Sequence, residues 1–432
     1  MPAMTPNDPQ PSAFASADSD APLAESAMAR TRLATAFSLF SNPLYRRLGV
    51  SGVIYSLGTW AERLATGWLV LIQTDSILAS ASTMAIRAAP GIIFAPFAGA
   101  LADRLPRQRV LATAVFSQAV ITLLIGFVAF GGISSSWSVL PLVALLGIAS
   151  SFSTPATHAL TADIVGRQRV MSGISVYATG ARAVGVVGAL IAGVLSDHAG
   201  PAAALFVAAG VLFVSASVMI TINAPQTVRA DKRAGVLSAT TGMVKTMSGN
   251  PAIATLLVMA LAVEIFGFAY QAVLPAVARD VLHVRATGYG SLSFMAGVGA
   301  VIGVAVLSLL GNYPHKGRLV LGVTFGFGFS MLAFAASTSL PISLFLILGL
   351  GAAAAMFDAM QWTLLQTSVP DEMRGRAVAA WVFAIGFGWI GHLTLGAIAE
   401  GAGVRWALVA SGCMLLVTGV AGTLAFRRIR IE

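Results

Sequence analysis

Charged side chains are what this sequence has least of. Asp, Glu, Lys and Arg supply 10% of the 432 residues and apolar residues 57%, against about 25% charged in an ordinary soluble domain. A soluble chain this apolar could not cover its own surface with polar groups, whereas lipid solvates such a composition. Cysteine is nearly absent: Cys413 stands alone in an apolar run, so an intrachain disulfide is excluded and packing is its expected role. The five histidines are scattered and no H-E-x-x-H occurs, so no metal site is legible; there is no G-x-x-x-x-G-K-[ST] phosphate loop either. No nucleophile with a legible base stands out. The expectation is a chain that is not an enzyme and holds no cofactor.

What is present is a series of long apolar runs. Met1 to about Arg30 is rich in Pro, Ala, Ser and Asp and lacks the basic start and apolar core of a signal peptide, so residues 1–36 are expected to be a disordered tail. A helix crosses the hydrocarbon with about 20 residues. Val110 to Ala162 carries no Asp, Glu, Lys or Arg and is too long for one span; the Gly131-Gly132-Ile133-Ser134-Ser135-Ser136 turn divides it. Leu319 to Phe357 divides in the same way at Ser337-Thr338-Ser339-Leu340-Pro341. Counted so throughout, the chain reads as an all-α polytopic membrane protein with spans near 44–72, 78–102, 108–130, 138–161, 170–196, 202–222, 252–277, 287–310, 318–336, 341–366, 375–399 and 404–426.

The basic residues then sort by side. Of 26 Lys and Arg, 20 fall on the side of the termini, three (Arg279, Arg285, Arg405) on the other, and Arg63, Arg87 and Arg182 within spans. Basic loops stay cytoplasmic, which places both termini inside. The net charge of +9 is thereby a topology signal, and no nucleic-acid partner is expected.

The runs also repeat. Ser41-Asn42-Pro43 precedes the first span and Gly249-Asn250-Pro251 the seventh; Gly166-Arg167-Gln168-Arg169 follows the fourth and Met373-Arg374-Gly375-Arg376 the tenth. Both pairs are about 207 residues apart. The expected organisation is a six-helix half over 37–224, a cytoplasmic linker over 225–250 and a second six-helix half over 251–432, the plan of a transporter with its site at the midplane.

Between spans 2 and 3 the chain reads Gly99-Ala100-Leu101-Ala102-Asp103-Arg104-Leu105-Pro106-Arg107-Gln108-Arg109. This resembles the G-x-L-x-D-R-x-G-R-[RK]-x signature of the major facilitator superfamily, with Pro106 replacing the pattern's Gly and Gln108 a basic residue. Asn42-Pro43-Leu44-Tyr45-Arg46, Arg87-Ala88-Ala89-Pro90 and Val369-Pro370-Asp371-Glu372-Met373-Arg374-Gly375-Arg376 are similar to a subgroup that includes enterobactin exporters and macrolide efflux proteins. The resemblance implies the major facilitator fold and a latch between halves at the cytoplasmic side, carried by Gly99, Asp103, Arg104, Arg107, Arg109 and Asp163. The run from Gly180 to Gly193 in the fifth span has the glycines of the family's exporter signature but not its proline.

Glu62, Arg63, Arg87, Arg182, Glu264 and Asp358 lie within spans, where a lone charge costs at least roughly 2.5–3.5 kcal/mol and usually faces a partner or a wet cavity. Glu264, near mid-span, and Glu62 and Asp358 are candidates for proton coupling; the alternative is static pairing, Glu62 with Arg87 or Arg63 and Asp358 with Arg182. Arg87 beside Pro90 reads as structural. Tyr55, Trp60, Tyr177, Phe266, Tyr270, Gln271, Gln361 and Trp362 are candidates for a cavity wall suited to amphipathic molecules. The expected function is proton-driven export of a small drug-like or siderophore-like molecule across a bacterial inner membrane by a chain that works as a monomer. Uptake by symport is the alternative, and a membrane enzyme would need a polar cluster at one face that is not seen.

With Cys413 replaced by Ser, single cysteines at Ala234 and Arg285 should respond oppositely to an impermeant thiol reagent added to intact cells. Arg285→Cys is expected to be labelled and Ala234→Cys to be protected.

Overall fold

A computed structural model of the chain describes residues 38–132, 136–166, 168–225, 251–311, 313, 315–367 and 374–429. The expected linker, the N-terminal tail before residue 38 and Asp371-Glu372 lie outside them. Among the described residues the regular structure is helical throughout.

The first half contains α1 (Pro43–Thr74), α2 (Ile77–Ala88), α3 (Pro90–Arg104), α4 (Arg107–Phe130), α5 (Ser136–Val165) and α6 (Val170–Ile220). Asn42 caps α1, its side chain accepting from the Leu44 N–H, and Pro43 follows at N1, where its missing N–H costs nothing. α2 and α3 are one span broken at Pro90, which has no N–H for the Ile86 carbonyl. α6, at 51 residues, would be about 77 Å long if straight, far more than a bilayer of about 30 Å. It is two rods joined at Gly200, whose φ of 83° ends the first before Pro201 starts the second.

The second half contains α7 (Pro251–Ala262), α8 (Tyr270–Ala276), α9 (Ala286–Leu309), α10 (Lys316–Ala336), α11 (Leu340–Thr367), α12 (Arg374–Ile385), α13 (Gly388–Ala402) and α14 (Val404–Ile429). α7 and α8 belong to one span, interrupted by the π-helical turn Val263–Gly267 and continued by a second, Val277–Val281. α12 and α13 form another span, broken at Gly386-Phe387. Ten helical segments are long and apolar enough to cross a membrane. Dividing α6 at Gly200 and adding α1, whose hydropathy Glu62 and Arg63 lower, gives the twelve crossings expected from the sequence.

Packing without a hydrophobic drive between helices relies on small residues that let backbones touch. α1 lies along α6, and a Cβ at Gly188 would collide with the Leu57 carbonyl. α13 meets the π turn of the seventh span in the same way: a Cβ at Gly391 would collide with the Ile265 carbonyl. α9 crosses α11, with Gly299 against the Leu348 carbonyl and Gly351 against the Ala296 carbonyl.

We call the side bearing most Lys and Arg the basic face and the opposite side the far face. The halves join through α6 on α9 and α13 on α2, with α8 against α1 and α2. Toward the basic face, α3 packs on α4 and α5, while α12 packs on α7 and α11, each inside its own half.

Gly188→Leu forces α1 and α6 apart and should destabilise the fold by about 1–3 kcal/mol, read as a lowered melting temperature in detergent. Gly322→Leu, on a surface with no heavy atom within 4 Å of the new Cβ, should change it by less than about 0.5 kcal/mol.

Candidate functional site

At the basic face the loop motif becomes geometry. Gly99 is buried on α3. Asp163, near the end of α5, is paired at 2.6 Å with Arg107, which also donates to the Ala159 carbonyl at 3.1 Å. Arg104, grouped with Asp163 in the expected latch, is exposed, and Arg107, at the first turn of α4, points inward. Arg109 is exposed as well. This ion pair ties α4 to α5 within one half. The side chain of Asp103, on which a latch between halves would depend, is outside the described residues.

In mid-membrane, Glu62 forms an ion pair with Arg87 in which both guanidinium nitrogens donate to one carboxylate oxygen, and Thr66 donates to the other at 2.9 Å. Glu62 is 1% exposed. Of the two arginine partners open to it, the structure selects Arg87, one turn before the Pro90 break. Arg63, the next residue on α1, is different. It forms no hydrogen bond or ion pair among the described residues, and its side chain is exposed. Its charge acts on His392 of α13, in the other half, and on Arg87 and Tyr55 in its own. Arg63 therefore faces the interval between the halves.

Two further carboxyls stand in the second half. Glu264 stands in the π turn, whose wider ring is a common feature of functional sites. The Ser411 hydroxyl donates to the Phe266 carbonyl in this turn. Gly388, at the α12–α13 break, leaves room for the Glu264 carboxyl; a Cβ there would lie 2.7 Å from its Oε1. Asp358, on α11, interacts electrostatically with Glu264 and with Arg182 of α6 across the halves. Neither carboxyl makes a hydrogen bond or an ion pair within 4 Å among the described residues, and both are half-buried.

The cavity candidates separate. Tyr55 donates to Gln118 at 3.1 Å, and Gln118 donates to Ser153 at 3.0 Å, tying α1, α4 and α5 together. Tyr177 lies over Gly52 and Trp60 against Gly185, both between α1 and α6. Tyr270 is enclosed in the hydrophobic core at 3% exposure. Phe266 and Gln271 are half-buried on the seventh span, and Trp362 stacks edge-on with Trp381 of α12 at 5.1 Å. Gln361 is fully buried, with no hydrogen-bond partner for either amide atom among the described residues. His392 was not singled out from sequence, because one histidine in an apolar run carries no spacing. Only the fold brings it near Arg63.

Truncating Arg87 to Ala strands a buried carboxylate and should cost roughly 3–5 kcal/mol, whereas Glu62→Gln with Arg87→Met together should recover most of that loss. Thermal unfolding in detergent distinguishes the two outcomes.

Residues 34–430 match the family model described as a transmembrane secretion effector. The chain is 35% identical over 122 residues to the multidrug resistance protein MdtG of Proteus mirabilis, covering 28% of this chain and 29% of that one. It is 33% identical over 181 residues to the protein of the same name from Yersinia enterocolitica, covering 41% and 37%. These alignments span about a third of the relatives' lengths. Among solved structures, the nucleoside transporter NupG is similar with TM-score 0.71 at 12% identity, covering 89% of this chain and 99% of that one. A bacterial homolog of the lysosomal transporter Spinster, inward-facing and unoccupied, is similar with TM-score 0.68 at 15% identity, covering 90% and 98%. At these identities the structural likeness speaks for the fold. With twelve crossings in two halves and a family match over nearly its whole length, the chain belongs to the transmembrane secretion effector family of major facilitator superfamily transporters.

Proposed function

We propose that this transporter exports a small amphipathic molecule in exchange for protons, by alternating access, from the cytoplasm of a bacterium. The observation that carries this reading is the contrast between three intramembrane carboxyls. Glu62 is locked by Arg87 and Thr66. Among the described residues Glu264 and Asp358 have no such partner, and both are half-buried. A carboxyl held only for packing is expected to be paired at this depth, whereas one that exchanges a proton must be left free to change its charge. Of the three coupling candidates, Glu264 and Asp358 fit that role and Glu62 fits a fixed one.

In this cycle, the basic face is cytoplasmic. Arg63 and Arg182 meet the polar end of the substrate, and the apolar walls take the rest. Protonation of Glu264 or Asp358 removes a charge from the interior and shifts the balance between states, since a group bound differently in two states biases their equilibrium. The multidrug resistance proteins among the relatives support export over uptake. A single chain holds both halves and the whole interior, which favours a monomer as the working unit.

The test uses everted membrane vesicles carrying an imposed pH gradient and a panel of amphipathic fluorescent dyes. Gradient-driven accumulation should be lost in Glu264→Gln, at least tenfold below the parent, while gradient-independent exchange persists. Accumulation at the parental rate in both Glu264→Gln and Asp358→Asn would remove proton coupling from these residues.

A further inference from the structure

The far face carries two contacts that the proton and substrate groups leave unused, and they are copies of one another. Asp197, near the end of the first rod of α6, accepts from two backbone N–H groups of α9: Oδ1 from Ala286 at 3.0 Å and Oδ2 from Thr287 at 2.9 Å. Glu400, near the end of α13, accepts from two backbone N–H groups of α2, with Oε2 taking both Ile77 at 2.6 Å and Leu78 at 3.1 Å. In each case the carboxylate belongs to one half and the helix start to the other.

The chain prepares both contacts alike. Each carboxylate follows a glycine by four residues, Gly193 and Gly396. A Cβ at Gly193 would lie 2.6 Å from the Ala286 carbonyl oxygen, and one at Gly396 would lie 2.6 Å from Cβ of Ala81. The glycines bring the helices together; the carboxylates, one turn further on, reach the helix starts. The first N–H groups of a helix have no partner within it and carry its positive end. At α9 no side chain of its own caps them. At α2, Ser76 serves only the Ala79 N–H. Two arginines reinforce the seam. Arg279 pairs with Asp75 at 2.8 Å and donates to the Leu71 carbonyl at 3.2 Å, and Arg285 lies 3.6 Å from the Asp197 carboxylate.

We propose that Asp197 and Glu400 are paired latches that hold the two halves together at the far face and set the equilibrium between the state closed there and the state open there. The proposal rests on the transport reading, because only a chain that alternates has a second state. A contact made in one state alone stabilises that state by its own free energy. Opening the far face separates α6 from α9 and α13 from α2, so all four N–H bonds must break together. A cap serving only to finish a helix would come from the helix's own half.

Spin labels at His198→Cys and Ala402→Cys, both exposed at the far face in different halves, report the opening by double electron–electron resonance in a Cys413→Ser background. A second pair at Thr113→Cys and Leu424→Cys reports the basic face. Asp197→Ala and Glu400→Ala should each shift the ratio of far-face-closed to far-face-open molecules roughly fivefold toward open, and the double variant should multiply the two shifts. The far-face distance lengthens as the basic-face distance shortens. Asp197→Asn keeps an acceptor for the N–H groups and should retain most of the closed population, separating capping from general damage to the fold; if the double variant does not fold, the single variants carry the same comparison. Distances unchanged by Ala substitution would overturn the latches, and continued dye transport in those variants would leave the transport reading standing without them. Shifted distances in a chain that moves no dye would support the latches and count against the export reading.

Discussion

Close contact between backbones along two equivalent helices is the constraint that organises this molecule. In the first rod of α6, Gly185 and Gly188 receive α1 and Gly193 receives α9; in α13, Gly388 and Gly391 receive the seventh span and Gly396 receives α2. Corresponding glycines are 203 residues apart. Each helix thus packs inward on its own half with two glycines and outward on the other half with the third. Lipid supplies no hydrophobic drive for these contacts, so they depend on the absence of side chains. Everything placed on those helices, including Arg182 and His392, takes its position from them.

The same constraint explains where charge is tolerated. Glu62 and Arg87 sit between helices in contact, where Glu62 is buried and each neutralises the other. Arg63, one residue along, turns out of that contact, is exposed, and has no partner among the described residues. Glu264 is admitted beside α13 only because Gly388 has no side chain there. Neighbouring ionisable groups on one helix therefore have different surroundings, decided by which surface of the helix each occupies.

Much of this was legible in the sequence, and the unread part has physical causes. Run lengths and the sorting of Lys and Arg located all twelve crossings to within a few residues, because the bilayer fixes length and charge placement directly. The glycine run of α6 was visible, but its matching copy in α13 was not recognised, since close packing requires only a missing side chain and leaves no distinctive letter. The π turn at Val263–Gly267 has no sequence mark at all; it is a response to packing. Asp163 was read as part of a latch between the halves; its ion pair is with Arg107 inside one half, because the turn between α3 and α4 at Leu105-Pro106 directs Arg104 and Arg107 to opposite sides. Tyr55 and Trp60 were read as wall residues; hydrogen bonding and glycine packing hold them among the helices of the first half, which aromatic content alone could not distinguish.

The capped helix starts at the far face have a consequence for the solvent. Four backbone N–H groups, of Ile77, Leu78, Ala286 and Thr287, and two carboxylates satisfy one another while the halves touch. In the proposed cycle the halves part at this face, and each of these groups must then be hydrated, for a buried polar group left without a partner is costly. Opening therefore consumes water at that face, and the position of the equilibrium becomes a function of water activity. Excluded osmolytes, which penalise newly exposed surface, would hold the far face shut, so the osmotic condition on that side of the membrane acts on the conformational balance without binding anywhere on the protein.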